Sequence, residues 1–186
     1  MAAANERDLV RKILSGDQSA FESLLDQYEK RVYRLALRFT GAPSDAEDVT
    51  QNIFLGIYRG LASFRGSSSL NTWIYRIAMN HCMEFQRRRK LDNLPLEEEL
   101  ALVVTDWRND PEQSAEKREL SDRLEQAIAK LRPLHREVIV LHELQGLTYL
   151  EVAGSLNVPV GTVKSRLSNA FKHLRELLGS YVFDQE

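Results

Sequence analysis

The stretch TYLEVAGSLNVPVGTVKSRLSNAFKHLRELL, Thr148 to Leu178, reads as a helix, a tight turn and a second helix with a basic outer face. Thr148 and Glu151 stand three apart, the spacing at which a hydroxyl cap and a carboxylate satisfy each other's orphan amides. Ala153 is small where two helices cross closely, and Asn157 stands at the turn, where a residue tolerant of left-handed backbone angles is needed. Pro159 is expected just inside the next helix, where its missing amide hydrogen costs nothing. Val163 and Leu167 are expected to face inward, leaving Lys164, Ser165, Arg166, Ser168, Asn169 and Lys172 outside. From Val160 to Arg175 there are four cations and no acid. This pattern predicts a helix-turn-helix whose second helix enters a DNA major groove. An ordinary helical hairpin with a solvated basic face is the alternative. The agreement of cap, small residue, turn residue, proline and one-sided charge weighs against it.

The rest of the chain is also written in helical spacing. Leu9, Val10, Ile13 and Leu14 form a short apolar stripe ended by Ser15 and Gly16. Phe21, Leu24, Leu25, Tyr28, Val32, Leu35, Ala36 and Phe39 form a long one at steps of three and four, stopped by Gly41-Ala42-Pro43. Ser44 with Glu47 has capping-box spacing and opens a helix through Val49, Ile53, Ile57, Leu61 and Phe64. A polar break, Arg65 to Ser69, precedes a helix over Asn71 to Lys90. Leu91 to Pro111 loses the pattern and holds Pro95, three consecutive glutamates and Asn109-Asp110-Pro111, which predicts a linker. Asp110-Pro111 with Gln113 then opens a helix carried by Leu120, Leu124, Ile128 and Leu131, and Val138 to Leu144 forms another, ended by Gly146. The expectation is an all-α chain of two small helical domains, 1–90 and 120–178, joined by an acidic linker over 91–119, with 179–186 as a tail.

Charge supports that division. The formal net charge of −2 conceals 14 cations and 10 anions over residues 1–90, 3 and 9 over 91–119, and 8 of each beyond. Two ends flank an acidic middle, so the overall charge says little about binding DNA. No apolar run is long enough to cross a bilayer, and the N-terminus lacks the basic-then-apolar order of a secretory signal. A single cysteine, Cys82, excludes an internal disulfide and suits a reducing compartment, so a cytoplasmic location is expected.

The helix over Asn71 to Lys90 carries a second functional pattern. Ile74, Ala78, His81, Cys82 and Phe85 cluster on one side, whereas Trp73, Arg76, Asn80, Glu84 and Arg87 form a ridge on another. An aromatic ring, a guanidinium and an amide on one ridge suit an exposed base, whose stacking on an aromatic ring contributes about 1–3 kcal/mol. The preceding Gly-Ser-rich break offers small side chains for a pocket. Arg87-Arg88-Arg89-Lys90 at the far end suits phosphates. Trp73 as core and the four cations as complement to the helix dipole are the alternatives.

These residues resemble a known family. SDAEDVTQNIFLGIYRGLASFRGSSSLNTWIYRIAMNHCMEFQRRRK looks like region 2 of bacterial RNA polymerase sigma factors, and LRPLHREVIVLHELQGLTYLEVAGSLNVPVGTVKSRL looks like their region 4. With two domains and a short tether, the chain is similar to the extracytoplasmic-function group. The resemblance implies that Asp48, Gln51 and Asn52 dock on the clamp coiled coil of core RNA polymerase. It implies that Gly66, Ser67, Ser68, Ser69 and Leu70, with Asn80, capture a flipped base of the −10 element. Trp73 and Arg76 then support the melted strand, and Arg87 and Arg88 the upstream phosphates. Lys164, Ser165, Arg166, Ser168, Asn169 and Lys172 read the −35 duplex, and region 4 also meets the polymerase flap. The acidic tether threads toward the active-site and RNA-exit channel, and an anti-sigma factor is a further implied partner. Thr50 and Asn52 depart from the aliphatic residue and glutamate usual in the family, and Asn169 and Lys172 replace common arginines.

Sequence motifs for catalysis are missing. There is no Gly-rich phosphate loop, paired-cysteine motif or GxSxG, and His81, His135, His142 and His173 are scattered. No catalytic residue, cofactor or metal is expected. Cys82 is expected to be packed and inert, and Arg136 and Glu137 to be solvated. A helix-turn-helix regulator with an unrelated N-terminal domain stays as the alternative, followed by a helical protein that binds another protein and no nucleic acid.

Overall fold

The computed structural model describes residues 2–91 and 115–183, and every regular element among them is helical. The helices group into two compact units, α1–α4 in the first and the bulk of α5–α8 in the second. In the first unit, α1 (Ala2–Leu14) ends before Gly16, whose φ of +92° turns the chain. Asp17 caps α2 (Gln18–Thr40) by accepting the Ala20 N–H at 3.2 Å, and Gly41 at φ 78° ends it, its N–H donating to the Leu37 carbonyl. The long apolar stripe of α2 is buried at Leu24, Tyr28, Val32, Leu35, Ala36 and Phe39, as its spacing predicts.

Helix α3 (Pro43–Gly60) starts differently from the expected capping box. Pro43 is its first residue, Ala42 is extended and no side chain caps it. The fixed φ of proline preorganises a first turn, so Ser44 lies inside the helix. A 3-10 turn, Leu61–Ser63, follows, and then the loop to α4 (Leu70–Leu91). Helix α4 packs against both α2 and α3. It buries Leu70, Ile74, Tyr75, Ala78, Met79 and Cys82, a wider face than the single stripe read from sequence, because two neighbours cover it. Tyr75 and Met79 were outside that stripe. Its C-terminal half also holds α2 in place: Gln86 Nε2 donates to the Phe39 carbonyl at 3.1 Å, and Arg89 Nη1 to the Thr40 carbonyl at 2.9 Å.

The second unit comprises α5 (Ala115–Lys130), α6 (Pro133–Ile139), a π-turn (Val140–Leu144), α7 (Tyr149–Leu156) and α8 (Val160–Phe183). The predicted linker and the Asp110-Pro111 helix start lie outside the described residues. The expected helix over Val138 to Leu144 is not regular to its end. Gln145 N–H reaches the Val140 carbonyl at 3.0 Å, one residue further back than in an α-helix, before Gly146 (φ 72°) turns the chain. Val138, Ile139, Val140 and Leu141 are all buried in succession, so over these four residues no solvent face keeps the helix in phase.

Arg136 and Glu137 correct another expectation. They are 7% and 5% exposed, not solvated. Arg136 Nε donates to the Ile128 carbonyl at 3.3 Å, and its Nη2 donates to the carbonyls of Leu131, at 3.2 Å, and Ala129. The guanidinium therefore satisfies the orphan carbonyls at the end of α5. Arg136→Leu keeps the apolar stem and removes those donors. It is expected to cost about 2–3 kcal/mol, read as a lower urea midpoint at unchanged slope; an unchanged midpoint refutes the assignment.

Candidate nucleic-acid interface

In the second unit, the paired cap at the start of α7 forms as spaced. Thr148 N–H and Oγ1 donate to Glu151 Oε2 at 3.0 and 2.9 Å, and Glu151 N–H returns to Thr148 Oγ1 at 3.3 Å. Asn157 takes φ 54°, and the Pro159 carbonyl accepts from Thr162 N–H at 2.9 Å, so Pro159 caps α8 just outside it. Val152, Ala153, Val163, Leu167, Ala170 and Leu174 form the apolar seam. Lys164, Ser165, Ser168, Asn169 and Lys172 are exposed on the opposite side of α8, and Arg166 is half-buried. Lys164 Nζ lies 5.9 Å from the Tyr149 ring centre, and Ser165 Oγ donates to the Thr162 carbonyl at 3.0 Å.

Arg166 has a second setting that sequence spacing does not reveal. Burial raises the Glu137 carboxyl above its ordinary 4.5, opposed by the positive charges of Arg166 and Arg136. The residue expected to read DNA thus also compensates a buried acid. Nor are the histidines all scattered. His135 and His173 stack with ring centres 5.4 Å apart. Burial, His173, Arg132 and Arg166 together lower the His135 pKa below its ordinary value. The neutral imidazole is therefore favoured at His135, and only packing of α6 on α8 brings the two rings together.

In the first unit, Arg76, Asn80, Arg87 and Arg88 are exposed on α4. Trp73 is not an open platform. Its ring lies 5.4 Å from that of Phe64, and a Cβ on Gly60 would stand 3.0 Å from Trp73 Cζ2. The missing side chain at Gly60 is what lets the indole lie against α3. Trp73 is half-buried, so the core reading holds in part. Of the terminal cations, Arg88 pairs with Glu84 and Arg89 is committed to the Thr40 carbonyl, so the run is not a uniform phosphate grip.

The Gly-Ser loop does form a pocket, a cleft of about 320 Å³ lined by Glu6, Arg7, Phe64, Gly66, Ser67, Ser68 and Ser69. Gly66 adopts φ 68°, which only glycine takes without strain. Ser69 caps α4, its Oγ accepting Thr72 N–H at 3.1 Å. The Leu70 side chain is buried in the core and so is not offered to a ligand, a correction to its place among the expected contacts. Asn80 is not among the lining residues, because ten residues of helix carry it about 15 Å along the axis from Leu70. Glu6 and Arg7, from α1, were not anticipated; nothing in their spacing signals a role.

On α3, Asp48, Gln51 and Asn52 are exposed as expected, and the same surface continues into Leu55 and Tyr58, 44% and 59% exposed. These apolar residues were missed because they fall between positions of the buried stripe. Thr50 is buried, with no hydrogen-bond partner for its Oγ1 among the described residues, so the core accepts a hydroxyl where an aliphatic side chain fits. Cys82 is fully buried and its thiol is pushed up to about 12 by burial, which makes it inert.

Residues 24–91 match the model of Sigma-70 region 2 and residues 121–174 that of Sigma-70, region 4. The chain is 35% identical to the ECF RNA polymerase sigma factor SigW of Bacillus subtilis, over 91% of this chain and 94% of that protein. The chain belongs to the ECF sigma factors. It is likewise 36% identical to the ECF RNA polymerase sigma-E factor of Escherichia coli K12, over 87% of this chain and 88% of the other. Among solved structures, CnrH in complex with the cytosolic domain of CnrY aligns with a TM-score of 0.71 at 26% identity, over 94% of this chain and 97% of that one. RpoE of Bartonella quintana, solved with the anti-sigma factor NepR, shares the fold at TM-score 0.68 and 23% identity, over 86% of this chain and 96% of the other. Membership removes the alternative of a helix-turn-helix regulator with an unrelated first unit. As a sigma factor the chain acts in transcription initiation. No described helix is long and apolar enough to cross a membrane.

Glu137 gives a pH test of the second unit. Its folded-state carboxyl holds the proton more tightly than the unfolded one, so its charge opposes folding at neutral pH. That opposition fades as pH falls through the raised folded-state value and is gone below the ordinary 4.5, where both states are protonated. Glu137→Gln is therefore expected to raise stability at pH 7, with the gain shrinking towards pH 4 in paired denaturant titrations. An equal gain at both pH values rules the charge out as its origin.

Proposed function

We propose that this sigma factor directs core RNA polymerase to promoters through three separate surfaces. The exposed face of α3, with Asp48, Gln51, Asn52, Leu55 and Tyr58, docks on the clamp coiled coil. The loop Gly66 to Ser69 captures a flipped base of the −10 element, while Trp73, Arg76, Asn80, Arg87 and Arg88 track the parted strand. Helix α8 enters the −35 major groove with Lys164, Ser165, Arg166, Ser168, Asn169 and Lys172, and the second unit also meets the polymerase flap. In this reading residues 1–90 and 120–178 are the working domains and 91–119 the acidic tether. The chain has no catalytic chemistry of its own and works in the cytoplasm.

The observation that carries this reading is the α4 ridge. Arg76, Asn80 and Arg87 are exposed on one helix directly after a loop that encloses a cleft, in a chain that also holds a helix-turn-helix with a one-sided cationic face. Extruding a base costs only a few kcal/mol, an amount that stacking and an arginine contact offset. An anti-sigma factor as further partner is supported by the apolar residues Leu55 and Tyr58, which suit a protein surface, and by the partner bound to CnrH in its solved complex.

Two experiments test these surfaces in reconstituted holoenzyme. Asn80→Ala is expected to slow open-complex formation about tenfold while leaving core polymerase affinity unchanged. Equal loss of both contradicts strand contact. For the groove, Lys164→Ala with Asn169→Ala is the cleaner pair, because Arg166 also faces buried Glu137. That double variant is expected to weaken binding to −35 duplex by tenfold or more, about 1–3 kcal/mol per lost base contact, without loss of folding or of polymerase association. Unchanged duplex binding overturns the assignment of α8 to the groove.

A further inference from the structure

The loop cleft has a wall that the strand-capture reading does not use. Glu6 and Arg7, on α1, line it opposite Phe64 and the Gly66–Ser69 backbone. Their placement is set by the fold. Val10 and Ile13 anchor α1 in the core of the first unit, and Glu6 Oε2 accepts the Leu70 N–H at 3.0 Å, tying α1 to the first residue of α4. Arg7 lies over the loop so closely that a Cβ on Gly66 would stand 3.1 Å from its Nε and 3.3 Å from its Nη2. A donor-only guanidinium and an acceptor carboxylate therefore face one small cleft whose third wall is an aromatic ring.

We propose that α1 makes this cleft selective, with Arg7 and Glu6 discriminating for a flipped base that carries both a carbonyl oxygen and an exocyclic amine, cytosine or guanine. The proposal rests on the strand-capture reading above and names the chemistry of the captured base. Arg7 donates to the carbonyl oxygen and Glu6 accepts from the amine through the oxygen that Leu70 leaves over. Adenine has an amine but no carbonyl, and thymine carbonyls but no amine, so each leaves one of the two side chains without its partner. A matched base gains both contacts and a mismatched one gains a single contact. A backbone phosphate is the competing ligand for Arg7. The carboxylate beside it disfavours a phosphate and favours a neutral base. Phe64 supplies a face for stacking.

The test uses the full chain with core RNA polymerase and a set of promoters carrying each of the four bases at every −10 position on the non-template strand. Open-complex formation is expected to favour cytosine or guanine about tenfold over the other bases at one position. Arg7→Ala is expected to flatten that preference at this position alone, with core affinity and the profile elsewhere unchanged. Glu6→Gln retains an acceptor for the Leu70 N–H while replacing a charged acceptor with an amide. It is expected to weaken discrimination against thymine, whose carbonyl the amide can meet as a donor. If Arg7→Ala lowers opening equally for all four bases, Arg7 holds phosphate and the proposal fails. It fails too if the profile is unchanged, or if the wild type prefers adenine or thymine at every position. In those cases strand capture stands, since the wild type still opens DNA. A wild type that opens no promoter and retains no single-stranded −10 DNA overturns strand capture itself, and the α1 proposal with it.

Discussion

The burial of α4 between α2 and α3 is the constraint on which the first unit depends. Ile74, Tyr75, Ala78, Met79 and Cys82 fill the space between three helices, and only a narrow strip is left outside. Arg76, Asn80 and Arg87 occupy that strip. A surface helix packed on one neighbour would leave such side chains freer to swing. Here the register of the exposed strip is set by a close-packed interior that a small shift would disrupt. The carbonyl contacts of Gln86 and Arg89 at the end of α2 fix the same helix along its axis. The proposed strand contact gains from this rigidity, because the groups would be in position before a strand arrives.

The second unit achieves the same end by burying charge. Arg136 closes the end of α5, and Glu137 beside it sits in apolar surroundings with Arg166 as a compensating cation. Buried ionic groups are weak contributors to stability compared with apolar packing, yet they specify geometry. The positive charge of Arg166 partly offsets the burial of the Glu137 carboxyl. If Arg166 reads DNA as proposed, a substitution there is expected to disturb both the buried acid and recognition.

Much of this was legible from spacing. The Thr148–Glu151 cap, the left-handed Asn157 and the apolar seam of α8 are local features whose physics lies within a few residues, and all formed as read. Where the reading failed, the cause was in one case an adjacent proline and otherwise a neighbour remote in sequence. Ser44 lost its expected cap to a proline one position earlier. Tyr75 and Met79 joined the core because α4 meets two helices, a number that no stripe on one helix encodes. Arg136 and Glu137 look solvated in a row of letters and are buried because α6 packs on α5 and α8. Leu70 reads as the end of a polar loop and in space is core.

Helical periodicity, caps and turn residues by themselves determined that the described residues form helices, that they include a helix-turn-helix with a basic outer face, and that a Gly-Ser break precedes a ridge of Trp73, Arg76, Asn80 and Arg87. These are short-range properties, decided by rotation of 100° per residue and by backbone groups seeking partners nearby. Tertiary structure alone decided that Glu6 and Arg7 close the cleft some sixty residues away from them, that Trp73 rests on Gly60, and that His135 meets His173. Such meetings depend on how apolar faces pack in three dimensions, and packing joins residues by shape and burial rather than by order along the chain.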